Sequence, residues 1–133
     1  GERGPVTVVI ANAGAAHSVP FAKMTAADLT AMTDVNLTGV FNVWQAALPD
    51  MKAAKTGRMI AIASTASLKG YPYVAGYCAA KHGVLGLTRA LFHRNTPVGA
   101  FCRQYCLQNG DERRRRCEIT DQRQPTTAAH SGG

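Results

Sequence analysis

The sequence predicts an α/β fold, a parallel sheet flanked by helices, and three observations predict it. Two short runs, VTVVIA (6–11) and RMIAIAS (58–64), are continuously apolar rather than alternating, as strands covered on both faces require. Each is followed by a segment whose apolar residues recur at helical spacing. The order strand, helix, strand, helix is that of parallel strands joined by helical crossovers.

The elements follow in turn. The first strand, 6–11, stops at the turn-forming NAGAAHS. Thr25 is placed as an N-cap before Ala26, Ala27 and Asp28. A helical rhythm then runs through Leu37, Val40, Phe41, Val43, Trp44, Ala47 and Leu48, and Pro49 is expected to kink or end it. The second strand, 58–64, leads through the loop TASLKGYPYVA into a helix over 76–91. Residues 1–91 therefore read as one unit. Residues 92–133 hold only Phe92, Val98, Phe101, Tyr105, Leu107 and Ile119 as large apolar residues, too few to offset the entropy of ordering, and read as an irregular Arg-rich tail.

Composition narrows the function classes. No uninterrupted apolar run approaches the roughly 18 to 20 residues needed to cross a bilayer, and the first residues, GERGPVTVV, lack the pattern of a secretory signal. A cytoplasmic protein without a membrane partner is expected. The net charge of +7 raises nucleic acid as a partner, but the positive charge is spread along the chain. Its only cluster, Arg113 to Arg116, reads first as a solvated run in the tail, so no nucleic-acid partner is expected. Cys78, Cys102, Cys106 and Cys117 contain no CxxC pair, and His17, His82 and His93 have no metal-ligand pattern. Reduced thiols and no metal are expected.

In a parallel sheet, ligands bind outside the carboxyl ends of the strands. Two segments leave strands here, Asn12, Ala13 and Gly14 after the first and STAS (64–67) after the second. A glycine there lets the backbone approach a ligand, and the Ser64 hydroxyl can donate to an oxygen. The plainer alternative is that Gly14 makes a turn and Ser64 closes a strand end. Tyr77 and Lys81 stand four apart, on one helix face. A cation beside a phenol stabilises the phenolate, by about 1.4 kcal/mol for each pKa unit, which turns a poor general acid or base into a useful one. Chance also produces that spacing, so the pair alone is a weak signal.

Taken together and in order, NAG (12–14), Asn36 in DVNLTGVF, Ser64 at the end of a strand and YCAAK (77–81) resemble the short-chain dehydrogenase/reductase family. The resemblance covers residues 4 to about 91 and implies an incomplete Rossmann-like, doubly wound parallel sheet. It implies an oxidoreductase that exchanges hydride between NAD or NADP and a carbonyl or secondary alcohol. Carried over residue by residue, it implies Tyr77 as general acid and base and Lys81 as the group that favours the phenolate and binds the nicotinamide ribose. It implies Ser64 as the group polarising the substrate oxygen, and Asn36 as the anchor of a water relaying protons from Lys81. Asn12, Ala13 and Gly14 would support the cofactor, with Ala11 where the family usually has a second asparagine. The helices at 34–54 and 76–91 would form a homo-oligomer contact. The stretch around 64–83 is similar to bacterial acyl and hydroxyacid reductases of the family.

Departures from the family define the competing class. Its glycine-rich GxxxGxG turn, first three strands and later Pro-Gly turn have no counterpart here, so the chain reads as a central, catalytic fragment. The alternative is a non-catalytic remnant, an oligomerisation or binding module. Binding through Arg113 to Arg116 would fall steeply with salt, unlike cofactor binding.

Overall fold

The structure, a computed structural model, describes residues 4–91 and the backbone of residues 102–108. In chain order the elements are β1 (Val8–Ala11), α1 (Ala26–Thr33), a π-helical turn (Asp34–Thr38), α2 (Gly39–Ala54), β2 (Gly57–Ala63), α3 (Ala75–Leu91) and β3 (Cys102–Gln108). The strands form one parallel sheet in the order β1, β2, β3. This is the α/β architecture expected from the sequence.

Local chemistry sets the element ends. Val6 N–H donates to the Asp50 carboxylate at 2.8 Å and Arg58 N–H donates to the Thr7 carbonyl, so β1 starts at Val8, two residues later than the apolar run. β2 stops at Ala63 because Ser64 turns to cap a 3-10 turn over Thr65–Ser67. Thr25 does cap α1: its hydroxyl accepts from Asp28 N–H at 3.2 Å, and the Asp28 carboxylate accepts from Thr25 N–H at 2.8 Å. Pro49, expected to kink or end its helix, stands inside α2, which runs on to Ala54 and stops at Lys55 in a left-handed conformation, φ 52°. Pro49 and Gln45 are both exposed, so the carbonyl that Pro49 cannot serve faces water.

β2 alternates Gly57, Met59, Ala61 and Ala63, all buried, with the less buried Arg58, Ile60 and Ile62. The buried set packs under α2 and α3, where Ala11, Val40, Trp44, Ala47, Met51, Met59, Ala61 and Val84 form the core. Burying each large side chain in that set stabilises the fold by roughly 1.5–3 kcal/mol. A Cβ on Gly57 would lie 2.9 Å from Met51 Cβ, so the bare backbone there lets α2 close onto the sheet. The other face differs from expectation. The apolar run of β1 predicts cover on both sides, yet Val8 and Ile10 are 49% and 57% exposed. Both helices that pack on the sheet lie on the Met59 side, and no described element covers the opposite one.

β3 lies within the stretch that composition assigns to an irregular tail. Its backbone pairs with β2 from Gly57 opposite Cys102 to Ala63 opposite Gln108. An existing strand edge offers a row of unpaired N–H and C=O groups, so pairing there needs no hydrophobic alternation in the added strand. Arg113 to Arg116, His93 and Cys117 lie outside the described residues.

Candidate active site

The parallel register sets Ala11 opposite Ala61, so β1 and β2 release their chains at the same end of the sheet. Asn12, Ala13 and Gly14 leave β1 there as exposed residues, and Ser64 leaves β2 half-buried. α3 then brings Tyr77 and Lys81 to the same end.

Asn36 fixes the first loop. It is fully buried at the centre of the π turn, where a widened backbone turn points its amide at the segment following β1. Its Nδ2 donates to the Ala15 carbonyl at 2.8 Å and to the Met32 carbonyl at 2.9 Å, and its Oδ1 accepts from Ala15 N–H at 3.3 Å. Both donors of the amide are thereby used and one acceptor position remains. Gly14 lies directly against it: a Cβ on Gly14 would be 3.0 Å from Asn36 Oδ1 and 3.7 Å from Lys81 Nζ. Three of the residues singled out in the sequence thus meet at one point.

Lys81 joins the second strand to the helix. Its ammonium donates to the Ile62 carbonyl at 3.0 Å and lies 5.6 Å from the centre of the Tyr77 ring. Only 6% of the residue is exposed, unusual for lysine and supported by that charge-assisted bond. Ser64 Oγ accepts from Ala66 N–H at 3.2 Å, so its own proton is available to a ligand, while Ser64 N–H donates to the buried Ser67 hydroxyl at 3.4 Å. Tyr77 is half-buried.

Several participants escape sequence reasoning. The Ala15 backbone and the Ile62 carbonyl carry no side-chain signal, and Ser67 reads as an ordinary loop serine. The Tyr71 hydroxyl donates to Thr65 Oγ1 at 2.7 Å, one residue from Ser64. The Thr65 hydroxyl, which can donate to the phenolate once the proton leaves, together with the nearby Lys69 ammonium, holds the exposed Tyr71 phenol below its ordinary value of 10.0. His82 Nδ1 lies 2.9 Å from the Cys78 carbonyl, a local helix contact. Among the described residues no cluster of His, Cys, Asp and Glu has the geometry to hold a metal, and no helix is long and apolar enough to cross a membrane.

Comparison with known proteins places the chain in a family. The family model for short chain dehydrogenase matches residues 1–102. The chain is 46% identical over 90 residues to the peroxisomal hydratase-dehydrogenase-epimerase of Saccharomyces cerevisiae, covering 68% of this chain and 10% of that protein. It is 37% identical over 105 residues to an acetoacetyl-CoA reductase of Paracoccus denitrificans, covering 79% and 43%. Among solved structures, a gluconate 5-dehydrogenase of Burkholderia cenocepacia in complex with NADP and tartrate matches 80% of this chain and 41% of its own at TM-score 0.73 and 31% identity. The chain spans less than half the length of each of these relatives.

Proposed function

The chain belongs to the short chain dehydrogenase family, and from that premise we propose that the whole protein is a cytoplasmic NAD- or NADP-dependent oxidoreductase acting on a small carbonyl or secondary-alcohol substrate, with Tyr77 as general acid and base. A nicotinamide cofactor, when bound, supplies or accepts the hydride. In reduction Tyr77 gives its phenolic proton to the carbonyl oxygen as the carbon gains hydride, and in oxidation it takes the proton back. Ser64 donates its uncommitted hydroxyl proton to the same oxygen and stabilises charge developing there. Lys81 holds its charge near Tyr77 and would bind the ribose hydroxyls of the cofactor. Asn36 keeps one acceptor position for a water that links Lys81 to solvent.

The residues fit the nicotinamide-ribose end of such a cofactor. Gly14 leaves space beside Asn36 and Lys81 that a side chain would fill, and Asn12 and Ala13 stand exposed next to it. The observation that carries the reading is the buried Lys81 ammonium, held by the Ile62 carbonyl against the Tyr77 ring at the strand ends. Its test is NADH and NADPH fluorescence titrated with the 133-residue chain, followed by turnover with simple ketones in wild type and Tyr77→Phe. Micromolar binding with turnover abolished by the substitution is expected. Absence of binding at millimolar cofactor would count against a self-sufficient active site.

A second reading, an association module without catalysis, is favoured by one feature. Leu37, Thr38, Phe41, Gly83 and Leu87 line an open apolar groove between the helices over 34–54 and 76–91, and Phe41 is 43% exposed. Burial of that groove against a second copy would give the homo-oligomer contact, with or without activity.

A further inference from the structure

Between Ser64 and Tyr77 lies a polar cluster that the proposed chemistry leaves unused. Tyr71 Oη donates to Thr65 Oγ1 at 2.7 Å, and the Lys69 ammonium stands 4.9 Å from the centre of the Tyr71 ring. The Thr65 carbonyl accepts from both Leu68 N–H and Lys69 N–H, at 3.0 and 3.2 Å, which folds the loop back on itself and keeps Lys69 beside Thr65. Thr65 in turn directly follows Ser64, about 3.8 Å away along the backbone.

The hydrogen-bond inventory of this cluster is unbalanced toward donors. The Thr65 hydroxyl accepts from Tyr71 and keeps its own proton. Lys69 is exposed, and among the described residues no carboxylate pairs with it. Residues 64–77 contain no Asp or Glu at all. A cation over a ring is an ordinary surface contact by itself. Here it is joined through Tyr71 to the unspent hydroxyl proton of Thr65, the residue next to the serine that would hold the reacting oxygen, with no acid in the intervening loop.

We propose that Thr65, Lys69 and Tyr71 form a subsite for an anionic group, a carboxylate, carried by the substrate close to its reacting carbon. The proposal names the substrate class of the site described above and rests on that reading of Ser64 and Tyr77. Lys69 supplies the charge, Thr65 the directional hydrogen bond, and Tyr71 fixes both by its contacts with each. An exposed ammonium and one hydroxyl give a preference for carboxylate over a neutral isostere of roughly 3- to 10-fold.

The test is a titration of the full 133-residue chain with acetoacetate and with its neutral methyl ester, following the amide resonances of Thr65 and Lys69 by NMR. Acetoacetate is expected to saturate those shifts at about 3- to 10-fold lower concentration, and added salt should narrow the gap. The preference should vanish in Lys69→Ala and survive in Lys69→Arg. Equal affinities, a preference untouched by Lys69→Ala, or no saturable shift with either probe overturns the subsite. Turnover of the neutral ester with NADH or NADPH separates the two ideas: turnover without a carboxylate preference removes the subsite alone, whereas a preference without any turnover removes the hydride-transfer reading.

Discussion

Asn36 grips Ala15 by both backbone groups, accepting from its N–H at 3.3 Å and donating to its C=O at 2.8 Å, and so ties the loop after β1 to the π turn. This pairing fixes the conformation of Gly14 and sets the crevice wall. Asn36→Ala removes it together with the bond to Met32, and is expected to cost about 2 kcal/mol by urea denaturation. Asn36→Asp should cost more, because an oxygen would then face the two carbonyls that the amide nitrogen now serves. Equal midpoints for the two variants would contradict the orientation of the amide.

Gly14→Ala tests the close approach itself. The added Cβ would stand 3.0 Å from Asn36 Oδ1, which forces the amide to move by a few tenths of an ångström. Destabilisation of about 1 kcal/mol is expected, with faster hydrogen exchange at the Ala15 amide. Unchanged exchange there would show that the space beside Asn36 is larger than these distances indicate.

Legibility in the sequence divided along a physical line. The Thr25 cap was readable because capping is decided within four residues, and the strand and helix order because burial leaves a period. The π turn was not, since a widened turn depends on what the buried Asn36 must reach rather than on local propensity. Pro49 is expected to interrupt α2, yet the helix runs on through it on a face exposed to solvent. The meeting of Gly14, Asn36 and Lys81 could be anticipated only through the family resemblance, and the partners they use, Ala15 and Ile62, act through backbone atoms that any residue possesses.

The α1 cap should respond to acid in a defined direction. Hydrogen bonds from the Thr25 backbone and hydroxyl hold the Asp28 carboxyl below its ordinary value of 3.8. A carboxyl depressed on folding stabilises the helix start above its unfolded value and loses that contribution as pH falls through the folded one. Protection of the first-turn amides of α1, taken relative to their intrinsic exchange rates, is therefore expected to fall below about pH 4, an acceleration over the intrinsic rate. In Asp28→Asn this acceleration should disappear, and an identical acid profile in the variant would dismiss the assignment. Thr25→Ala, which removes the hydroxyl half of the box, is expected to cost about 1 kcal/mol at neutral pH.

Two exposed apolar surfaces make opposite predictions about association, and substitution separates them. On the outer face of the sheet, Val8 and Ile10 stand exposed on β1, which has no described partner on its far edge. Contacts made there have no built-in stopping point, so they should yield open-ended aggregates that grow with concentration. The groove at Leu37, Phe41, Gly83 and Leu87 is bounded by two helices, and pairing it with its own copy closes after two chains. Phe41→Glu places a charge at a position 43% exposed in the single chain, so the fold should tolerate it while a dimer should not. Light scattering after size exclusion is expected to show a dimer in wild type, a monomer in Phe41→Glu, and fewer large species in Val8→Thr with Ile10→Thr. A stable wild-type monomer at micromolar concentration would remove the helix groove as a subunit contact. Loss of the dimer in the Val8→Thr, Ile10→Thr variant, with Phe41→Glu still dimeric, would move the contact to the sheet.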